Sequence, residues 1–247
     1  MAYQNVFKRY ELKYMLTIEQ KKRVLAAMTP YMKLDKYGRT TIRNLYFDTD
    51  TYLLIRRSIE KPVYKEKLRI RSYNRAADNS TVFVELKKKY RQVVYKRRIS
   101  LPQVQAMKWL SGEQHTEQQT QITNEIDYFM QLYGTLHPTV FLSYEREAYY
   151  SDEAADFRVT FDDNILCRQE DLSLQSEVYG IPILAQDKVL MEIKCSGGIP
   201  LWMTEVLSRE KIYKTSFSKY GTAYRTLIFP RTHTMNKYNT SEVTTNV

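Results

Sequence analysis

Glycine is scarce in this 247-residue chain: seven residues, scattered, with neither GxxxxGK[ST] nor GxGxxG among them. A cradle of backbone amides for phosphate needs glycines at those spacings. P-loop and Rossmann-type nucleotide sites are thereby excluded, and any phosphate bound here must be held by side chains. Cysteine is scarcer still. Cys167 and Cys195 are the two present, with no metal-type spacing, which argues against a disulfide framework and fits a reducing compartment. His115, His137 and His233 stand far apart without partner spacing, so surface or loop roles suit them better than catalysis. No run approaches the ~18 apolar residues of a transmembrane helix, and Met1–Asn5 lacks the apolar core of a signal peptide. The expectation is a soluble cytoplasmic protein.

Positive charge is plentiful and uneven. Lys and Arg total 38 against 28 Asp and Glu, a net charge of +10. Residues 61–100 hold 13 Lys/Arg and 3 Asp/Glu, and the remaining residues balance. A local excess points to a site for an acidic partner. Within it, Lys65, Lys67, Arg69 and Arg71 occupy every second position. In a β-strand they share one face, with Leu68 and Ile70 on the other. Like charges on one sheet face repel, which a solvated face tolerates and an anion-filled cavity neutralises.

Periodicity sets the surroundings. Phe7–Met15 reads as a strand. Thr17 with Gln20 forms a capping box for a helix to about Met28. A strand at Ile42–Phe47 precedes a short helix containing Tyr52–Ile55, with Asp48 or Thr49 as its cap. Lys65–Tyr73, Thr81–Lys89 and Val93–Leu101 form a meander that carries most of the excess charge. Helices follow Pro102 and begin at Thr123 or Asn124. Pro138–Tyr149 and Asp156–Asp162 read as paired strands, residues 164–181 as irregular, and Lys188–Cys195 as a strand. A helix follows Pro200, and the stretch Ser216–Tyr220 leads into the last one. The expectation is a single α+β domain over residues 1–230 built on a large antiparallel sheet or barrel, with a disordered polar tail at 231–247.

The alternation recurs on other strands. Arg9, Glu11 and Lys13 share a face, as do Glu85, Lys87 and Lys89, then Lys96 and Arg98, then Tyr144 and Arg146, then Arg158, Thr160 and Asp162, and then Glu192 and Lys194. A closed barrel with a charged interior accounts for all of these rows at once. Buried like charges cost several kcal/mol each unless compensated, and a bound polyphosphate supplies the compensation. A nucleic-acid binder instead calls for an exposed basic face with interleaved aromatics, which cations spread over many strands do not make. Divalent Mg²⁺ or Mn²⁺ bridges phosphate oxygens using one or two carboxylates.

Nine short motifs, in order from residue 7 to about 225, carry a resemblance. They are Arg9–Tyr14, Tyr46–Asp48, Leu68–Arg71, Phe83–Lys87, Tyr95–Arg98, Tyr144–Arg146, Arg158–Asp162, Met191–Lys194 and Phe217–Tyr220. The chain resembles the catalytic polyphosphate polymerase domain of the vacuolar transporter chaperone (VTC) complex, within the triphosphate tunnel metalloenzyme group. The resemblance implies an eight-stranded antiparallel tunnel whose basic lining grips ATP and inorganic polyphosphate or pyrophosphate. Its implied phosphate ligands are Lys13, Arg69, Arg71, Lys87, Lys96, Arg146, Arg158, Lys194 and Lys219, with Arg98 added on strand parity. Arg69, Arg71, Lys87, Arg158 and Lys219 are those expected to act in catalysis, and Glu192 matches the family's metal-binding glutamate, which makes it the first candidate metal ligand, with Glu11 and Glu85 as helpers. Lys65 and Lys67 match no family position and are expected at the tunnel mouth.

Related CYTH-type triphosphatases carry Glu-x-Glu-x-Lys on strand 1, where this chain has Arg9-Tyr10-Glu11-Leu12-Lys13. A cation replaces the first carboxylate, which favours the polymerase branch. The expected reaction is transfer of the ATP γ-phosphate to a growing polyphosphate chain. A triphosphatase of the same fold and a non-catalytic polyphosphate-binding module are the alternatives. The inositol-phosphate sensor and membrane spans of the eukaryotic complex are absent from the sequence, so a channel or regulator would be a separate membrane-protein partner.

Overall fold

The computed structural model describes residues 10–230, apart from 92 and 153–155. Phe7–Arg9 of the expected first strand and the tail at 231–247 lie outside the described residues. Eight long strands dominate: β1 (Tyr10–Thr17), β3 (Thr40–Asp48), β4 (Tyr64–Tyr73), β5 (Thr81–Tyr90), β6 (Val93–Pro102), β7 (His137–Tyr150), β8 (Arg158–Arg168) and β10 (Lys188–Cys195). Three two-residue strands join them: β2 (Lys33–Leu34), β9 (Ile181–Pro182) and β11 (Lys214–Thr215). All described pairings are antiparallel, in the order β11-β1-β10-β8-β7-β3-β4-β5-β6, with β2 on β7 and β9 on β8.

The eight long strands agree in number with the expected tunnel, but the ladder does not close among the described residues. β1 pairs with β10 along one edge and with β11 at Lys13 and Tyr14 along the other. Among the described residues, β6 pairs with β5 and with no further strand. Side chains span the gap instead: Lys87 on β5 reaches Glu11 on β1 at 2.6 Å. The sheet therefore curls around a lumen without a continuous ring of backbone hydrogen bonds.

Apolar residues on the outer face explain why helices surround it. α3 (Gln103–Leu110) and α4 (Gln121–Tyr133) pack on the core of Leu68, Ile70, Val84 and Leu86. α1 (Ile18–Met28) and α5 (Leu201–Arg209) cover Val159, Phe161, Met191 and Ile193. Each such fully buried side chain contributes roughly 1.5–3 kcal/mol, which offsets the cost of a charged interior. A third core lies inside the curl. There Ile42, Leu142, Ile165 and Leu190 meet Ile55 of α2 (Leu53–Ile59), Tyr220 of α6 (Lys219–Ala223), and Leu227 of the π-helical turn Tyr224–Ile228.

The capping box at Thr17 and Gln20 is formed. α4 starts earlier than its periodicity suggests, because Thr120 makes a second capping box with Thr123. Asp48 and Thr49 both serve α2. Asp48 accepts from the amides of Leu54 and Ile55 at 2.8 and 2.9 Å, and Thr49 Oγ1 from that of Leu53 at 3.0 Å.

β8 runs past the expected end at Asp162, through part of the stretch read as irregular, to Arg168. Asn164 makes the continuation possible. It adopts φ +46°, a left-handed conformation that asparagine tolerates. Residues 163–166 of β8 span only 143–145 of β7, the signature of a bulge. Ile165 and Cys167 consequently face the lumen and join its apolar part.

A cation-lined tunnel as candidate active site

Strand parity places the ionic rows inside the curl. On the β4–β5–β6 wall they converge on one carboxylate, Glu85, whose side chain is 1% exposed. Arg69 grips its Oε2 through Nε and Nη2 at 2.9 and 2.7 Å. Arg98 grips Oε1 through Nε and Nη2 at 2.8 and 2.5 Å, and Lys96 Nζ lies 2.7 Å from the same oxygen. Arg71 stands 3.8 Å away and donates to Asn44 Oδ1 at 3.1 Å and Tyr144 Oη at 3.4 Å. Burial pushes the Glu85 pKa up, but Arg71, Arg69, Lys96 and Arg98 outweigh it and hold the carboxylate well below its usual range.

On the opposite β1–β10–β8 wall, carboxylates and cations interleave. Glu192 lies 3.2 Å from Lys13 and 3.4 Å from Lys194. Asp162, fully buried, takes a fork from Arg146 at 2.6 and 2.7 Å and a bond from Lys219 at 2.5 Å. Burial raises the Glu11 pKa, yet the charge and hydrogen bond of Lys87 together with the charge of Lys194 outweigh it and take the carboxyl down to about 2. Burial likewise opposes ionisation of Glu192, which Lys13 and Lys194 overcome. Arg158 pairs in register with Lys194 at the exposed end of β8, on the lumen side by parity.

Every expected phosphate ligand thus lies on one curled face: Lys13, Arg69, Arg71, Lys87, Lys96, Arg98, Arg146, Arg158, Lys194 and Lys219. Lys219 starts a helix as anticipated, but its ammonium is buried against Asp162 and away from the surface.

Lys67 sits deeper than the mouth position expected of it. Its Nζ donates to Ser218 Oγ at 3.0 Å and lies 5.9 Å from the centre of the Tyr220 ring. Burial, followed by the charges of Lys13, Lys87, Lys65 and Arg69, drives its pKa well below the usual lysine value. The alternation Lys65-Lys67-Arg69-Arg71 showed its face, but the depth comes from how α6 folds back across β4. Asp162 shares a row with Arg158 in the sequence, but that row does not show that it receives both Arg146 and Lys219. Tyr46 and Tyr144, which open two of the nine motifs, accept from Arg69 and Arg71 through their hydroxyls, a role the motifs did not specify.

The VTC domain model matches residues 8–228. The chain belongs to the VTC domain family. No curated protein sequence matches it. Among solved structures, a candidate adenylate cyclase from Bacillus halodurans has the same fold at 16% identity and a TM-score of 0.55, over 87% of this chain and 96% of that one. An adenylyl cyclase candidate from Hippeastrum, described as having a dominant triphosphatase activity, aligns at 17% identity and a TM-score of 0.52, over 89% and 95%. This VTC-family chain therefore shares its fold with both structures.

The carboxylates differ in their fitness for a divalent ion. Glu11 and Glu192 are diagonal neighbours across β1 and β10, and the charge of Glu192 pushes up the Glu11 pKa. Hard oxygen donors of this kind suit Mg²⁺ or Mn²⁺. Among the described residues no three Asp, Glu, His or Cys side chains close around one point, and two carboxylates completed by substrate phosphates is an arrangement Mg²⁺ commonly takes. Glu85 does not fit, since both of its oxygens are committed to Arg69, Arg98 and Lys96.

Proposed function

We propose that this tunnel transfers the γ-phosphate of ATP to the end of an inorganic polyphosphate chain, with Mn²⁺ or Mg²⁺ as cofactor. The supporting observation is the lumen itself. Lys and Arg from β1, β4, β5, β6, β7, β8, β10 and α6 face inward and outnumber the carboxylates Glu11, Glu85, Asp162 and Glu192 among them. A linear polyanion is the ligand that neutralises such a lining along its whole length.

Phosphoryl transfer needs alignment and stabilisation of spreading negative charge, with little covalent work by the protein. Arg69 and Arg71, fixed by Glu85, Tyr46 and Asn44, offer forked donors already oriented for phosphate oxygens. Lys87 adds charge from the same wall, and Lys219 and Arg158 add it from α6 and β8, so donor and acceptor phosphates can be held in line. Glu192 and Glu11 would hold the divalent ion, which when bound neutralises charge on the bridged phosphates.

Incubation of the purified chain with ATP and Mn²⁺ or Mg²⁺, followed by gel separation, tests the reading. A polymer ladder with ADP is expected. Free phosphate without polymer would favour the triphosphatase. Tight polyphosphate binding with neither product would leave a binding module and remove both enzymes.

A further inference from the structure

One polar side chain in the charged rows of the lumen has no partner. Thr160 of β8 is 5% exposed, and its Oγ1 is closed off from solvent and makes no hydrogen bond among the described residues. Buried hydroxyls are rarely left this way, and one that is calls for a cause such as a bound ion or a catalytic role. A hydroxyl offers one donor and two acceptor lone pairs. The groups around it decide which of these is put to use.

Strand register supplies those groups. The lumen row through Thr160 runs Ala148, Thr160, Glu192, Lys13 across β7, β8, β10 and β1. The rows on either side bring cations, at Arg146 and at Arg158 and Lys194, but Ala148 and Thr160 bring none. Thr160 stands directly opposite Glu192, where Cβ atoms on one face lie about 4.5–5.5 Å apart. Neighbouring carboxylates are engaged. Asp162 takes the fork of Arg146 and the ammonium of Lys219, and Glu11 Oε2 holds Lys87. Glu192 has one ammonium on each oxygen, Lys13 at 3.2 Å and Lys194 at 3.4 Å, and neither oxygen takes the Thr160 hydroxyl. A phosphate brought to Thr160 would meet the negative charge of Glu192, whereas a divalent cation meets two oxygen donors there.

We infer that Thr160 Oγ1 is a further oxygen ligand of the divalent ion, Mg²⁺ or Mn²⁺, held at Glu192. This rests on the reading of Glu192 as a metal-holding residue. Serine and threonine hydroxyls take this part on Mg²⁺ in P-loop enzymes, where carboxylate, phosphate and water complete the shell. In this chain the hydroxyl supplies a protein oxygen beyond those of Glu11 and Glu192, at a level of β8 that bears no carboxylate. It carries no charge, so it adds a donor without drawing Lys13 or Lys194 into another ion pair.

Metal binding without turnover is the test. Mn²⁺ alone is titrated into the full chain and followed by loss of the paramagnetic resonance signal of the free ion, and tripolyphosphate is titrated separately with a chelator present. Thr160→Val keeps the branched shape and removes the hydroxyl, whereas Thr160→Ser keeps the hydroxyl. Mn²⁺ affinity should fall about tenfold or more in Thr160→Val and stay within about twofold in Thr160→Ser, and metal-free tripolyphosphate affinity should stay within about twofold in both. The unfolding midpoint of metal-free Thr160→Val should not fall, because the hydroxyl has no partner to lose. Unchanged Mn²⁺ affinity in Thr160→Val, a matching loss of tripolyphosphate affinity, or a lowered midpoint would overturn the assignment. Glu192→Gln separates this inference from the reading beneath it. If Glu192→Gln weakens Mn²⁺ and Thr160→Val does not, the metal site stands without Thr160. If Glu192→Gln leaves Mn²⁺ affinity unchanged, or the unaltered chain takes up no Mn²⁺, the metal site at Glu192 falls and Thr160 with it.

Discussion

On the β4–β5–β6 wall a single carboxylate, Glu85, receives Arg69, Arg71, Lys96 and Arg98; on the β1–β10–β8 wall Glu11, Glu192 and Asp162 alternate with Lys13, Lys194, Arg146 and Lys219. The first arrangement has surplus positive charge around a fully committed anion. Its guanidinium forks are held before any ligand arrives. The second is nearly balanced, and its lysine ammonium groups are joined to carboxylates by single contacts that a divalent ion and a phosphate can replace pairwise. One wall is a fixed clamp, and the other exchanges partners.

That contrast can be broken most forcefully at Glu85. Glu85→Gln leaves four cations around a neutral amide, and removing one partner of a buried ionic network costs about 3–5 kcal/mol. Thermal unfolding should show a large fall in midpoint without ligand, partly restored by tripolyphosphate. A midpoint within a degree of the unaltered protein would mean that Glu85 does not anchor the wall. Glu192→Gln should do the reverse. The fold persists, and metal-dependent turnover falls at least about 100-fold, since even outer partners of a metal cost 10–100-fold. Turnover that stays constant across a Mn²⁺ titration would remove Glu192 from the metal site.

Lys67 sharpens the comparison at intermediate scale, because its ammonium donates to the Ser218 hydroxyl, whereas Arg69 and Lys87 reach carboxylates. Lys67→Met removes one charge-assisted contact of roughly 1.5–3 kcal/mol, so tripolyphosphate should bind about tenfold or more weakly. Its depressed pKa means the free protein holds this proton less firmly than an ordinary lysine does. An anion bound beside it raises that pKa again. Ligand binding at alkaline pH should therefore take up protons, seen as a dependence of binding heat on buffer ionisation enthalpy, and Lys67→Met should reduce the uptake.

The smallest effect concerns acid. Glu11 is held down to about 2 in the folded chain against ~4.3 unfolded. Its contribution to stability is full above the unfolded value and is lost as pH falls from about 4.3 toward 2. Glu11→Gln should flatten stability over that window, measured by denaturant unfolding at several pH values.

The lumen was legible in the sequence because β-strand parity is strict: a cation at every second position fixes its face. Arg69, Arg71, Lys87, Lys96, Glu192 and Lys194 needed nothing more than that and their motifs. Depth along the lumen was not legible, since it depends on strand stagger and on where α6 lands; hence Lys67 was expected at the mouth. The committed state of Glu85 was hidden for a related reason. A glutamate among cations reads equally as metal ligand or as counter-ion until the distances to both of its oxygens are known. The open ladder also escaped the pattern, because alternation records a strand's two faces and leaves its hydrogen-bonding edges unspecified.

Asn164 adds one residue to β8 and thereby exchanges its inner and outer rows. Before it, Arg158, Thr160 and Asp162 look into the lumen; after it, Ile165 and Cys167 do. A single backbone irregularity thus sets where charged wall gives way to hydrocarbon, and on the proposed reading it would bound how many phosphate units that side of the tunnel holds at once. Chain length at the site would then be a property of strand register, adjustable by moving one bulge and untouched by any change of charge.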